Sequence, residues 1–244
     1  MGYRESAVAL EGVECAWTAA TAPGGPAREH SVLPDGGMDL VWTGTALLVA
    51  GPDTVAHAVS RAPGTIATGL RFRPGALPAL LGVPAAALRD LRVPLAELAP
   101  GVADRATARL HGGAAPVAVL VAAARALPGR PDAAVAAAAA RLGAGASAGE
   151  AADALGWTTR TLHRRSVAAF GYGPAVLRRV LRFRRAVDLL HAGVPAAQAA
   201  ARAGYADQPH LSREVRALAG RSPAQLAPAP PAPARPVPAQ PRGA

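Results

Sequence analysis

The 244-residue chain has one cysteine and no lysine at all. A lone Cys15 excludes an intramolecular disulfide and any zinc site built from several thiolates. Its linear neighbours, Val13-Glu14 and Ala16-Trp17, include no cation to activate the thiol, so it reads as a small buried hydrophobe. Long apolar runs are also missing. Charges and prolines interrupt every stretch before the roughly 20 residues of a spanning helix. The N-terminus lacks the basic-then-apolar pattern of a secretory signal. Gly2 and Ser6 fit the loose myristoylation pattern, but bulky Tyr3 and the lack of a polybasic segment argue against an anchor. A soluble cytoplasmic protein with no membrane partner is expected. His30, His57, His111, His163, His191 and His210 show no metal-ligand spacing, and no H-E-x-x-H, C-x-x-C or G-x-S-x-G motif or phosphate-cradling glycine loop occurs. No enzyme, metal or cofactor is therefore expected.

What is present is arginine, and it is unevenly placed. The formal net charge is +10. Residues 1–140 carry 11 Arg against 11 Asp and Glu, whereas residues 141–226 carry 13 Arg against 5 acids. The tail adds Arg235 and Arg242. A charge excess confined to one segment is the footprint of a polyanion binder. The choice of Arg over Lys accompanies much Ala, Gly and Pro. It reads as GC-rich coding, without functional weight.

Composition divides the chain. Residues 1–75 alternate β-branched and apolar stretches with Pro34-Asp35-Gly36, Gly51-Pro52-Asp53 and Pro74-Gly75 punctuation, which predicts strands and turns. Pro84 and Pro94 then break a run of short helices. An Ala-rich helix is expected from a cap at Asp132 to about Gly143. The fold class expected is a two-domain α+β protein: a β-rich domain over 1–110, an Ala-rich helical linker over 111–145, and an all-α domain over 146–227. Residues 228–244 are low-complexity Pro/Ala and predict an unfolded or polyproline II tail.

Within the basic segment one pattern occurs twice. Ala152 stands four residues before Gly156 and Ala200 four before Gly204; Trp157 and Tyr205 follow the glycines. Leu162 and Arg164 then match Leu211 and Arg213, with one extra residue in the second turn. This is the helix-turn-helix signature: a small residue where two helices cross, and a glycine tolerating φ > 0 in the turn. Ser147 and Glu150 form a capping box before the first unit, and Pro195 suits the first helical position of the second. Leu162, Ser166 and Ala169 share one face of the first recognition helix, with Arg160, His163 and Arg164 on another. In the second, Leu211, Val215 and Leu218 face inward while His210, Arg213 and Arg216 face out. Between the units, Pro174 starts and Gly193 ends a helix with a stripe of Val176, Val180, Phe183, Val187 and Leu190. Arg178, Arg182 and Arg185 lie opposite, either touching phosphates or simply solvated. Its eighteen residues make a rod of about 27 Å, suited to holding two recognition helices about one B-DNA turn apart.

These residues carry a resemblance. Gly156 to Leu190, followed by Gly204-Tyr205-Ala206-Asp207-Gln208-Pro209-His210-Leu211-Ser212-Arg213-Glu214 and Gly220-Arg221-Ser222-Pro223, is similar to the AraC/XylS family DNA-binding domain over about 141–227. The resemblance implies a sequence-specific transcription regulator whose partner is double-stranded DNA, with RNA polymerase a further expected partner. It implies base contacts at Arg160, His163, Arg164, Pro209, His210 and Arg213, and phosphate contacts at Arg165, Gln208, Ser212 and Arg216. The chain departs from it at Ser166 and Val215, core positions where members carry Phe. That implies lost burial of order 1–3 kcal/mol per missing aromatic. The N-terminal part resembles the uncharacterised β-rich domain that precedes this unit in many regulators, which implies sensing of a small-molecule effector or homodimerisation. Asp35, Asp39, Trp42 and Arg71 are candidates for an effector pocket, although Arg71 and Arg73, alternating around Phe72, suit a solvent face. Two alternatives remain. One is a non-specific architectural DNA binder, and the other a repair protein accepting an alkyl group on Cys15.

Overall fold

The structure, a computed structural model, describes residues 2–24 and 28–227. Punctuation by glycine and proline cuts the first part into β1 (Gly2–Ser6), β2 (Val13–Ala20), β3 (Arg28–Val32), β4 (Met38–Trp42), β5 (Leu47–Ala50), β6 (His57–Arg61) and β7 (Ile66–Phe72). A short helix α1 (Ala76–Leu81), a 3₁₀ turn at Ala85–Ala87 and β8 (Arg92–Pro94) follow. Six strands form an antiparallel sheet in the order β1-β2-β7-β4-β5-β8, and β3 pairs with β6 as a separate ribbon.

Strand alternation gives the sheet two different faces. Met38, Leu40 and Trp42 of β4 enter the main core with Val49, Leu70 and Phe72. Asp39 and Val41 point the other way. A bulge between Val13 and Cys15 shifts β2, so Val13 and Ala16 face the core while Trp17 and Ala19 join Val41 and Ala67 on the opposite face. The core face is covered by α2 (Leu95–Leu98), α3 (Pro100–His111) and α4 (Pro116–Arg125), which contribute Leu95, Ala106, Leu110, Leu120 and Ala123.

The second domain begins at α5 (Ala133–Gly143), capped by the Asp132 carboxylate accepting from the Ala134 and Val135 amides at 2.8 and 3.2 Å. It continues through α6 (Ala148–Asp153), α7 (Thr159–Phe170), α8 (Pro174–His191), α9 (Ala196–Ala203), α10 (Gln208–Ala219) and α11 (Pro223–Leu226). The segment 111–145, expected as one linker, is therefore divided. α4 belongs to the sheet's core, whereas Val135, Ala138 and Leu142 of α5 pack with Leu162 and Phe170. Both helices are Ala-rich, so composition alone does not separate them. The tail expected over 228–244 lies outside the described residues. Among the described residues no helix is long and apolar enough to cross a membrane.

The α8 rod serves two cores. Leu177 and Val180 pack with α5, α6 and α7; Phe183, Ala186 and Leu190 pack with α9 and α10. The expected stripe is corrected at one end, because Val176 is 38% exposed and Leu177 is buried in its place. The buried arc turns along the helix as its packing partners change. Besides apolar packing of α1 and the 3₁₀ turn on α7, the N-terminal domain makes polar contacts with this assembly. Arg184 on α8 pairs with Glu14. Arg89 Nη1 donates to the Gly171 carbonyl after α7 at 3.4 Å, and the Ala56 amide donates to the Leu218 carbonyl of α10 at 2.7 Å.

Candidate nucleic-acid interface

Both helix-turn-helix units close their turns with the same hydrogen bond. The Trp157 amide donates to Ala152 O at 2.9 Å, and the Tyr205 amide to Ala200 O at 2.9 Å. Gly156 (φ 65°) and Gly204 (φ 82°) adopt the left-handed conformation that makes this return possible. Ala152 and Ala200 are buried at the helix crossings. The Ser147–Glu150 capping box starts α6. In the second unit the helix starts at Ala196, with Pro195 as its N-cap rather than its first residue. Each recognition helix has its own cap: Thr158 Oγ1 accepts from the Thr161 amide at 3.1 Å, and the Asp207 carboxylate from the His210 amide at 2.6 Å.

The caps orient the helices, and burial sorts their faces. Leu162, Ser166 and Phe170 of α7 point inward, as do Leu211, Val215 and Leu218 of α10. Arg160, His163 and Arg164 are exposed on α7; Gln208, Pro209, Arg213 and Arg216 are exposed on α10, with His210 and Ser212 half-buried. Pro209, Arg213 and Arg216 follow one another at helical spacing along one side. Three predicted contact residues also pack within their own domain. The Arg165 guanidinium stands 4.5 Å over the Trp157 ring and 3.4 Å from Asp132. The His210 ring meets Tyr205 edge-on at 5.2 Å. His163 lies against Gly173, where a Cβ would come within 3.0 Å of Nε2.

Several arginines of α8 do structural tasks that periodicity does not announce. Arg179 donates from Nε and Nη2 to Glu214 of α10 at 2.8 and 3.1 Å. These bonds hold the Glu214 carboxyl below its ordinary range, against the opposing effect of burial. Arg182 stacks 4.4 Å over Tyr205. Arg185 donates to Gly143 O. Of the stripe expected opposite the apolar face, Arg178 and Arg185 stay exposed. The Glu in the Ser212-Arg213-Glu214 stretch was the available signal, since an acid in the most basic segment needs a partner.

The candidate effector residues separate. Asp39 and Arg71 face each other across β4 and β7, and the Arg71 Nε lies 3.1 Å from Asp35 and 3.6 Å from Asp39. These three border a cavity of about 500 Å³ between the sheet, the β3–β6 ribbon and α8. Arg71 is thus partly buried in a cluster of acids, not on the solvent face. Trp42 does not line this space. It stands three residues from Asp39 on one strand, hence on the opposite face, and packs edge-on against His111 at 5.5 Å in the core. Trp17, which sequence reasoning did not select, forms part of the cavity wall. Burial pushes the Asp39 carboxyl well above the ordinary carboxylate range, despite the pull of Arg71. Cys15 is buried, and burial raises its thiol to about 11, the reverse of nucleophile activation. Among the described residues no cluster of His, Cys, Asp or Glu is arranged to hold a metal ion.

Residues 151–228 match the HTH_18 family, a helix-turn-helix domain, and residues 10–94 match DUF6597, a domain of unknown function. No curated protein matches the chain. Solved structures of ToxT from Vibrio cholerae are similar along much of its length. An apo variant from strain SCE256 has 10% identity and a TM-score of 0.49, covering 88% of this chain and 97% of that one. The unsaturated fatty acid bound wild type has 10% identity and a TM-score of 0.47, covering 86% and 92%. The chain therefore carries an AraC-type helix-turn-helix domain with a DUF6597 domain ahead of it.

Proposed function

We propose that the protein reads specific duplex DNA by placing α7 and α10 in two successive major grooves, and that its N-terminal domain biases this binding through a small molecule or self-association. The observation carrying the first part is the repeated unit itself. Two turns closed by equivalent hydrogen bonds present Arg- and His-bearing faces, and a single helix packs into both cores. In this reading Arg160, His163 and Arg164, with Pro209, His210 and Arg213, address base edges. Arg165, Gln208, Ser212 and Arg216 address phosphates. Phosphate contacts supply affinity and a steep salt dependence. Each good bidentate base contact supplies ~1–3 kcal/mol of discrimination. Pro209 has no side-chain donor, so α10 reads fewer bases than α7.

The cavity between the sheet and α8 supports the second part, because a molecule there touches both domains. Selection of bound sites from random duplexes, with wild type and an Arg164→Ala/Arg213→Ala variant, tests the DNA reading. Two half-elements about one helical turn apart, lost in the variant, are expected. Retention of DNA without sequence enrichment would move the assignment to a non-specific architectural binder.

A further inference from the structure

The cavity has an unusual charge balance. Three carboxylates surround one guanidinium: Glu5, Asp35 and Asp39 lie 3.3, 3.1 and 3.6 Å from Arg71. Asp188 of α8 adds a fourth, so the lining holds four carboxyl groups against three arginines. Of the other two arginines lining the space, only Arg184 has an acidic partner. Arg184 holds Glu14. Arg61 rests 5.7 Å from the Trp17 ring centroid and donates to Ala19 O at 3.3 Å.

Buried polar atoms at the same place lack partners. Asp39 Oδ1, His30 Nε2, Trp17 Nε1 and Arg71 Nε are buried without a hydrogen-bond partner of good geometry among the described residues, and all four side chains line the cavity, with the Trp17 indole near enough to Asp39 to favour its ionised form. Trp17 is only 7% exposed. Its indole lies across β7 at Gly69, where a Cβ would fall 2.4 Å from the ring. An orphaned buried polar group costs free energy, so a cluster of them around an empty space marks a place built for polar contacts. The rest of the lining includes Tyr3, Val32, Val59, Phe183 and Val187, which offer apolar and aromatic surface.

We infer that this cavity binds a small organic cation, an amine or guanidinium group on an apolar or aromatic body, with the charge at Asp39 and Asp35 and the body against Trp17 and Phe183. The assignment rests on the reading of the N-terminal domain as a ligand-responsive unit and adds the class of ligand. A carboxylate ligand is disfavoured, because the lining carboxyl groups outnumber the lining arginines. The volume of about 500 Å³ suits a molecule of that size. An occupied site also has a direct route to the DNA-binding domain. Phe183 and Val187 belong to the α8 core that carries α9 and α10.

A charge-matched probe series tests this on the full chain. Tryptamine, tryptophol and indole-3-acetate share one ring system and differ in charge. Isothermal calorimetry and thermal unfolding are expected to rank tryptamine first by about tenfold or more, with indole-3-acetate weakest. Asp39→Asn is expected to weaken tryptamine at least about tenfold, as loss of a buried charge partner does. Asp35→Asn provides a second variant should the first not fold. Indole-3-acetate binding as tightly as tryptamine would overturn the inference. So would the failure of tryptamine, phenethylamine and agmatine alike to bind more tightly than their uncharged analogues. DNA affinity is measured on the same samples. Tryptamine binding that leaves DNA affinity unchanged would keep the cation site and remove the ligand-responsive reading. DNA binding without any cation binding would remove only the cation site.

Discussion

Glu14 and Arg184 are 170 positions apart in the chain, yet they form the charged contact between the sheet and the helix shared by both DNA-reading units. Both side chains are 28% exposed, so water screens the pair without dissolving it. Exposed pairs contribute ~0–1 kcal/mol, and breaking buried ones costs ~3–5 kcal/mol. A partly exposed, doubly hydrogen-bonded pair should therefore couple by about 1 kcal/mol. A double-mutant cycle of Glu14→Gln and Arg184→Met, followed by urea unfolding, measures that coupling directly. Burial opposes ionisation of Glu14, but the hydrogen bonds and charge of Arg184 prevail, leaving the carboxyl below its ordinary range. A depressed folded value means the contribution is present above the ordinary Glu range and disappears as pH falls through the folded value. The coupling should thus be full at neutral pH and shrink as pH falls below the ordinary Glu range. Coupling below ~0.3 kcal/mol at neutral pH, or coupling that grows on acidification, would refute the reasoning.

Three further outcomes are expected. Ser166 is fully buried on α7, and its hydroxyl has no hydrogen-bond partner among the described residues. Ser166→Ala should therefore stabilise by about 1 kcal/mol, raising the midpoint by about 2–4 °C in a thermal melt without changing DNA affinity. Gly69→Ala should push the Trp17 indole off the sheet and cost about 1–3 kcal/mol, with a shift in tryptophan emission; an unperturbed melt would mean the close approach is not real. Cys15 should resist a thiol reagent in the folded protein at about pH 8 and react stoichiometrically once unfolded, as its burial and raised pKa require. Fast reaction in the folded state would restore the alkyl-acceptor reading.

The helix-turn-helix half was legible because its determinants are local. Ala152 and Gly156, or Ala200 and Gly204, lie within one helical turn of each other, and the caps at Ser147 and Asp132 act over three residues. Helix periodicity then separates Arg164 from Leu162 with no knowledge of the rest of the molecule. The N-terminal half was legible only as strands and turns. Parity along β4 places Asp39 and Trp42 on opposite faces, Asp39 at the cavity and Trp42 in the core. The role of Trp17 was not accessible in the same way. It depends on a bulge that shifts one strand and on a glycine 52 positions later in a strand whose neighbours are β2 and β4.

By itself, then, the sequence determined the two helix-turn-helix units, their exposed basic faces and the concentration of charge around them. These follow from contacts within one or two helical turns, where chain geometry alone places the side chains. Tertiary structure decided which Ala-rich helix joined which core, which arginines of α8 were occupied by Glu14, Glu214 and Tyr205, and that three carboxylates converge on Arg71 beside Trp17. Sheet order and domain docking bring together residues tens to hundreds of positions apart, and no local propensity encodes those pairings.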